Sequence, residues 1–93
     1  MPLEKVVARV ADWHGITEHE LLHSHERHII HVRGELMWIL RRRQLSYPKI
    51  GHIMHRHHTT IIKALRKFEA DPQRVTSARY TEKFSSYPDE DQL

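Results

Sequence analysis

The sequence feature that most limits the possible folds is a run of apolar residues, spaced by three or four positions, between residues 29 and 43. Its members are Ile29, Val32, Leu36, Ile39 and Leu40. Residues at this spacing share one face of an α-helix, so the pattern predicts a helix with a buried stripe, which Met37 and Trp38 widen. Gly34 costs such a helix up to ~1 kcal/mol relative to alanine, which is tolerable where a neighbouring element approaches closely.

Other periodic or capped segments predict further helices. They cover residues 3–13, residues 18–23, a segment beginning at Ser46, and a segment from Thr59 to near Pro72. Gly15 is a plausible stop for the first helix. Thr17 and Glu20 form a capping-box pattern before the second. Pro48 is compatible with the first turn of the helix that Ser46 would cap.

The chain contains no strand-like alternation and no internal repeat. We therefore predict an all-α fold, a helix-turn-helix bundle of about five helices, in which residues 1–72 form one domain. Residues 73–93 are polar and end in an acidic segment, so they form either a loosely ordered tail or a short docked helix.

Charge is distributed unevenly along the chain. No acidic residue occurs between Glu35 and Glu69, and eight lysines and arginines in that segment leave −5 on the rest of a chain whose net charge is +3. Such a positive block indicates a polyanionic partner, although a solvated charged face would look the same. With no cysteine, signal peptide or membrane-spanning run, we expect a cytoplasmic, nucleoid-associated protein.

The segment HRHHTTIIKALRKF, residues 55–68, is the candidate site. A short helix, a turn and a second helix with a polar start is the order of a helix-turn-helix motif, whose second helix reads bases in the major groove. The residues at that start are His57, His58, Thr59 and Thr60. Arg56 and Lys63 could bracket phosphates, and Ile62 could contact a thymine methyl group.

Two other chemistries compete for the same histidines. His52, His55 and His58 are spaced by three, and a second group lies between His23 and His31, so zinc is conceivable. Arg56 and Lys63 would repel a dication, however, and neither cysteine nor a carboxylate is present in the basic segment. Catalysis by histidine would need an orienting partner that this segment lacks. The three glycines are scattered and form no glycine-rich phosphate-binding loop, so we expect no nucleotide binding. We also predict no catalytic residue, metal or cofactor.

The segment LSYPKIG…HRHHTTIIKALRKFE resembles the C-terminal DNA-binding domain, domain IV, of the bacterial replication initiator DnaA. The matching positions are Ser46, Pro48, Ile50, Gly51, Arg56, His58, Thr59, Thr60, Arg66 and Lys67. Together with the segment LEKVVARVADWHGITEHELL, the resemblance covers about residues 3–70. It implies a Trp-repressor-like helical fold with a recognition helix in the major groove of duplex DNA.

The resemblance also implies a basic loop that reaches the adjacent minor groove. This loop would correspond to residues 24–33, with Arg27 and Arg33 keeping its basic role. The turn departs from the family because it is one residue shorter, lacks the Gly-Gly pair, and carries His57 in place of an aspartate. The nucleotide-binding ATPase module of the initiator is absent from the chain, which alone would not open an origin by ATP-driven assembly.

The resulting prediction is a sequence-specific double-stranded DNA-binding protein that acts in replication initiation, in its regulation, or in transcription. The predicted DNA-binding residues are Arg27, Arg33, Arg41, Tyr47, Pro48, Lys49, Arg56, His57, His58, Thr59, Thr60, Ile62, Lys63 and Lys67. A protein-interaction module that inhibits a replication protein is the main alternative, and a histidine-based metal-dependent enzyme is a third possibility.

Overall fold

A computed structural model describes residues 3–85, which fold into helices joined by short turns. The helices are α1 (Leu3–Trp13), α2 (Glu18–His23), α3 (Arg27–Arg42), α4 (Tyr47–Met54), α5 (His58–Glu69) and α6 (Pro72–Ser85). Residues 3–85 contain no strand, and the predicted all-α class is confirmed. None of the helices in this part of the chain is both long and apolar enough to span a membrane.

The end of α1 and the starts of α2 and α4 lie where the local sequence signals place them. Gly15 takes a φ of +68° and turns the chain out of α1. The capping box before α2 is complete, because Thr17 Oγ1 accepts from Glu20 N at 3.0 Å and Glu20 Oε1 accepts from Thr17 N at 3.0 Å. Ser46 caps α4 by accepting from Lys49 N at 3.2 Å. These caps satisfy backbone N–H groups that the first helical turn cannot pair internally.

Helix α3 is the centre of the bundle and packs against the other five helices. Its predicted apolar stripe is buried, and the core is completed by fully buried side chains from α2, α4 and α5. Fully enclosed side chains of this core include Leu36 and Leu40 of α3, Leu21 of α2, Ile50 of α4 and Ile61 of α5. Each such side chain contributes about 1.5–3 kcal/mol relative to an exposed position, so this stripe holds the bundle together.

Gly34 allows α3 and α5 to approach closely, as the sequence pattern indicated. A Cβ atom at this position would lie 2.7 Å from Cδ2 of Phe68. The Phe68 ring, itself 3% exposed, therefore packs directly on the α3 backbone. This contact fixes how far α5 stands from α3.

The prediction of a basic loop over residues 24–33 is wrong in extent. Helix α3 begins at Arg27, so only residues 24–26 lie outside a helix and the remaining positions form the first two turns of α3. The Ser24 hydroxyl accepts from Glu26 N at 3.1 Å and shapes this short connection. A helix rather than a loop therefore presents Arg27.

Helix α6 docks against α3 and α1, where the sequence left open a loose tail or a short docked helix. Ala78 and Thr81 are the residues of α6 that are buried. The helix carries few aliphatic side chains, which is why apolar periodicity gave little sign of it. Residues 86–93, with the acidic end of the predicted tail, lie outside the described residues, and the domain boundary at residue 72 stays a prediction.

A buried carboxylate on α3 attaches α6 by polar contacts. Glu35 is 6% exposed and accepts three hydrogen bonds, from His14 Nε2 at 2.7 Å, Ser77 Oγ at 2.7 Å and Thr81 Oγ1 at 2.8 Å. Burial by itself raises the pKa of Glu35, but these hydrogen bonds outweigh it and the pKa is lowered. The carboxylate thus stays ionised while it joins α1, α3 and α6.

Candidate nucleic-acid interface

Helix α4, a three-residue turn and α5 form the helix-turn-helix unit. A Cβ atom at Gly51 would collide with the carbonyl oxygen of Arg56, so only glycine allows the turn to fold back over α4. Arg56 N donates to Gly51 O at 2.8 Å, and His55 adopts the left-handed conformation with φ +58°. His55 therefore fills a position that glycine normally occupies at a helix C-terminus.

His57 caps the N-terminus of α5. Its Nδ1 accepts from Thr59 N at 3.3 Å and lies 2.8 Å from Thr59 Oγ1. An imidazole can accept at Nδ1 only when that nitrogen carries no proton, so the capped state holds the other tautomer. His57 thus caps α5 at the position where the DnaA family has an aspartate, a residue type that commonly caps helices.

The solvent-facing side of α5 brings together most of the predicted base-reading and phosphate-binding residues. Those exposed are His57, Thr59, Thr60, Lys63 and Lys67, while His58 and Ile62 are half-buried. Ile61, Leu65 and Phe68 on the opposite side anchor the helix in the core. The helix N-terminus therefore presents hydroxyl, methyl and imidazole groups in one row, followed by two lysines one and two turns further on.

Arg33 was predicted to contact DNA, and the structure directs it elsewhere. Its side chain is buried and donates from Nε to Leu21 O at 2.8 Å and from the guanidinium to Ser24 O at 2.6 Å. Burial and the nearby charge of Arg56 lower its pKa. The sequence held a signal for this, because Arg33 lies four residues after Ile29 and three before Leu36, within the buried stripe.

Arg56, which was predicted to contact phosphate, makes two hydrogen bonds within the protein. Its half-buried guanidinium donates to Met54 O at 2.6 Å and to Leu22 O at 2.9 Å. Burial lowers its pKa. Arg56 thus ties the helix-turn-helix turn to the C-terminal end of α2 and positions α5, with two of its five N–H donors bound to carbonyl groups.

A second group of predicted residues lies where α3 ends and α4 begins. The Arg41 guanidinium carbon lies 4.2 Å from the centre of the Tyr47 ring, and Arg41 donates to Leu45 O at 2.9 Å. Pro48 and Lys49 are exposed on the first turn of α4. In helix-turn-helix proteins the first helix crosses the DNA backbone, and this group stands at its N-terminal end.

Arg27 lies apart from both groups, at the exposed start of α3. It lines a groove of about 590 Å³ between α3 and α5, which Thr60 and Lys67 line from the α5 side. Arg74 of α6 lines the same groove and was missed by sequence reasoning. It lies beyond the predicted domain, and nothing in the local pattern brings residue 74 next to residue 27.

Three histidines, His19, His23 and His55, lie close together on the α2 side of the turn. The His19 and His23 rings are 4.8 Å apart, and the His23 and His55 rings 6.1 Å. Desolvation, followed by the charges of His19, His55, Arg56 and Arg33, lowers the pKa of His23. Across residues 3–85, no three histidine or acidic side chains are arranged to hold a metal ion.

A bundle that presents a turn closed over a glycine, a capped helix and a cationic solvent face defines a helix-turn-helix domain. Comparison with known proteins gives the family. Residues 3–68 match the bacterial DnaA protein helix-turn-helix, and the chain belongs to that family. It is a family of DNA-binding domains and not of enzymes, which confirms both the resemblance and the prediction that the chain is not an enzyme.

One similar relative is the chromosomal replication initiator protein DnaA 1 of Chlamydia pneumoniae. It is 31% identical to this chain over 67 residues, which cover 70% of the chain and 15% of the relative. The chain therefore spans only a small part of the length of that relative.

Proposed function

We propose that this protein reads a specific sequence of double-stranded DNA by placing the N-terminal half of α5 in the major groove. The observation that carries the proposal is the exposed row of Thr59, Thr60 and Lys63 on a helix whose start is capped by His57 and whose turn is locked by Gly51. Polar side chains on a rigid element at a helix N-terminus can meet base edges and phosphates together.

The residues that contact bases in this proposal lie in the first turn of α5. Thr59 and Thr60 each offer a hydroxyl group for a base edge and a methyl group for thymine. Their exposed position is compatible with both contacts. His58 and Ile62 are half-buried, so they would reach bases only with the outer part of their side chains.

Phosphate contacts frame this reading helix on two sides. Lys63 and Lys67 lie on exposed turns of α5, and neither has an ion-pair partner within the described residues. Arg41 and Lys49 stand at the start of the first helix of the motif, and Arg27 stands at the start of α3. Arg33 and Arg56 instead donate hydrogen bonds to backbone carbonyl groups of α2, and so hold the helices that carry these cations in place.

The cellular role we propose is the initiation of replication or its control. Support comes from the relative, which is named as a chromosomal replication initiator, and from the match of this chain to its DNA-binding part. A transcription regulator would recognise DNA through the same contacts of α5. Mapping bound sites on the chromosome separates the two, since enrichment around replication origins supports control of replication and enrichment confined to promoters contradicts it.

Selection of bound sequences from a random duplex pool tests the reading itself. We expect one enriched motif for the wild-type protein and a motif relaxed at one position for Thr60→Ala, with a loss of ~1–3 kcal/mol on the best site. Lys63→Ala is the matched comparison and should weaken all sequences similarly. A pool without any enriched motif would sink the proposal.

A further inference from the structure

The groove between α3 and α5 is lined by cations from three helices. These are Arg27 and Arg33 of α3, Arg56 before α5, Lys67 of α5, and Arg74 of α6. Among the described residues no carboxylate lines it, although Asp71 lies at its edge beside Arg74. Its floor includes the Phe68 ring where it packs on Gly34. A concave positive surface of this kind concentrates an anionic ligand.

The groove is continuous with the recognition face of α5. Thr60 and Lys67 belong to the solvent-facing side of that helix and also form one wall of the groove. Arg27 forms the opposite wall. A duplex seated on α5 therefore has a backbone strand close to this opening, which favours DNA over a separate small ligand or a protein as its occupant.

Arg74 has guanidinium donors available at the edge of this groove. It donates to Nε2 of His31 at 3.0 Å, and its Nε lies 3.5 Å from Oδ2 of Asp71. The Asp71 pair is weak, because both side chains are partly exposed and 3.5 Å is long for a charged contact. Since guanidinium has five N–H donors, two such contacts leave donors for a phosphate.

We propose that the DNA interface extends across this groove and that Arg74, oriented by His31, contacts a backbone phosphate at the edge of the bound site. This inference rests on the proposed DNA-reading function and adds to it a residue outside the family match, which ends at residue 68. Helix α6 thus takes part in binding, and its docking through Glu35 places Arg74 within reach of the duplex.

The test compares Arg74→Ala with Arg79→Ala, which removes the same charge from the same helix at an exposed position that does not line the groove. Binding to the selected site is measured by fluorescence anisotropy over a range of salt concentrations. One phosphate contact contributes about 0.9 to the slope of log affinity against log salt, so Arg74→Ala should lower the slope by about that amount and weaken binding roughly five- to tenfold at 0.1 M salt.

Arg74→Lys should keep most of the salt slope, and Asp71→Asn should tighten binding by removing a competing charge. A gain of affinity cannot come from loss of folding. Phosphate-ethylation interference should lose one flanking position in Arg74→Ala and none in Arg79→Ala.

Two patterns separate failure of this inference from failure of the proposed function. If Arg74→Ala, with an unchanged melting temperature, binds with the wild-type slope while Lys63→Ala weakens binding, the groove contact is overturned and α5 remains the reader. If the wild-type protein shows no salt-dependent DNA binding at all, both proposals fall.

Discussion

His55 shows how a single residue can carry backbone strain within the helix-turn-helix turn. It holds a φ of +58°, a region that residues with a Cβ atom adopt at a cost. The resemblance led us to expect glycine in this turn, and the structure explains why, since the chain reverses there so that Arg56 N can reach Gly51 O.

Replacing His55 by glycine should therefore stabilise the protein. We expect His55→Gly to raise the free energy of unfolding by up to about 1 kcal/mol, because relief of the left-handed strain exceeds the extra entropy of glycine in the unfolded chain. Chemical denaturation measures it. His52→Gly, on an exposed position within α4, is the control and should lower stability by roughly 0.3–0.5 kcal/mol, the difference in helix propensity between histidine and glycine. Equal losses for both variants would contradict the account.

The two glycines that lie within helices, Gly34 and Gly51, should differ in their tolerance of alanine. Gly51→Ala sets a Cβ against the backbone carbonyl of Arg56, which cannot move without opening the turn, whereas Gly34→Ala meets the side chain of Phe68. We expect Gly51→Ala to cost more than Gly34→Ala, with overpacking penalties of roughly 1–3 kcal/mol as the scale. Thermal melts and DNA affinity check this. The reverse order would show that the turn is more plastic than its geometry indicates.

At the scale of elements, α6 is attached by a mixture of buried contacts, in which polar groups take an unusual share. Glu35 supplies one ionised acceptor to His14, directly after α1, and to two side chains of α6. Hydrogen bonds to a charged group contribute about 1.5–3 kcal/mol each where both partners are well placed, which compensates for the few aliphatic residues of α6.

Glu35 also makes stability depend on pH. Its pKa is lowered on folding, so its contribution is complete above the unfolded value of 4.5 and is lost as pH falls below that value toward the folded one. Glu35→Gln should lower the free energy of unfolding at neutral pH by roughly 1–3 kcal/mol and flatten the acid limb of the stability curve. Urea denaturation across pH measures both. An acid limb unchanged in this variant would show that other carboxyl groups cause it.

At the scale of the whole molecule, positive charge is concentrated on the face formed by α4, α5 and the start of α3. Glu35, the acidic residue at the edge of the basic segment, is buried and turns its carboxylate toward His14, Ser77 and Thr81, away from this face. The exposed cations on this face can therefore act together on a polyanion.

This distribution predicts a steep dependence of DNA binding on salt. Five of the proposed phosphate contacts at ~0.9 each give a slope of about −4 to −5 in a plot of log affinity against log salt, and the proposed Arg74 contact makes it steeper by about 0.9. The five are Arg27, Arg41, Lys49, Lys63 and Lys67. Lys83→Ala, on α6 away from this face, should leave the slope unchanged. A wild-type slope near −1 would contradict this set of phosphate contacts, because it would correspond to about one contact.

The sequence by itself determined the helical class, most helix boundaries and the exposed row of polar side chains on α5. These depend on local physics, since apolar spacing, the Thr17 and Ser46 caps and Gly51 act over a few residues of chain. Thr59, Thr60 and Lys63 share one exposed face for the same reason, since their spacing along one helix decides it without contacts from the rest of the fold.

Only the tertiary structure decided where the arginines point and how α6 is held. Arg56 donates to a carbonyl 34 residues away, and the Glu35–Thr81 contact spans 46 residues. Charge and composition cannot separate an arginine that meets phosphate from one that meets buried carbonyl groups, because the same guanidinium donors serve both. The outcome depends on which unpaired backbone groups the packed helices bring within reach, and packing sets that only once the whole bundle has formed.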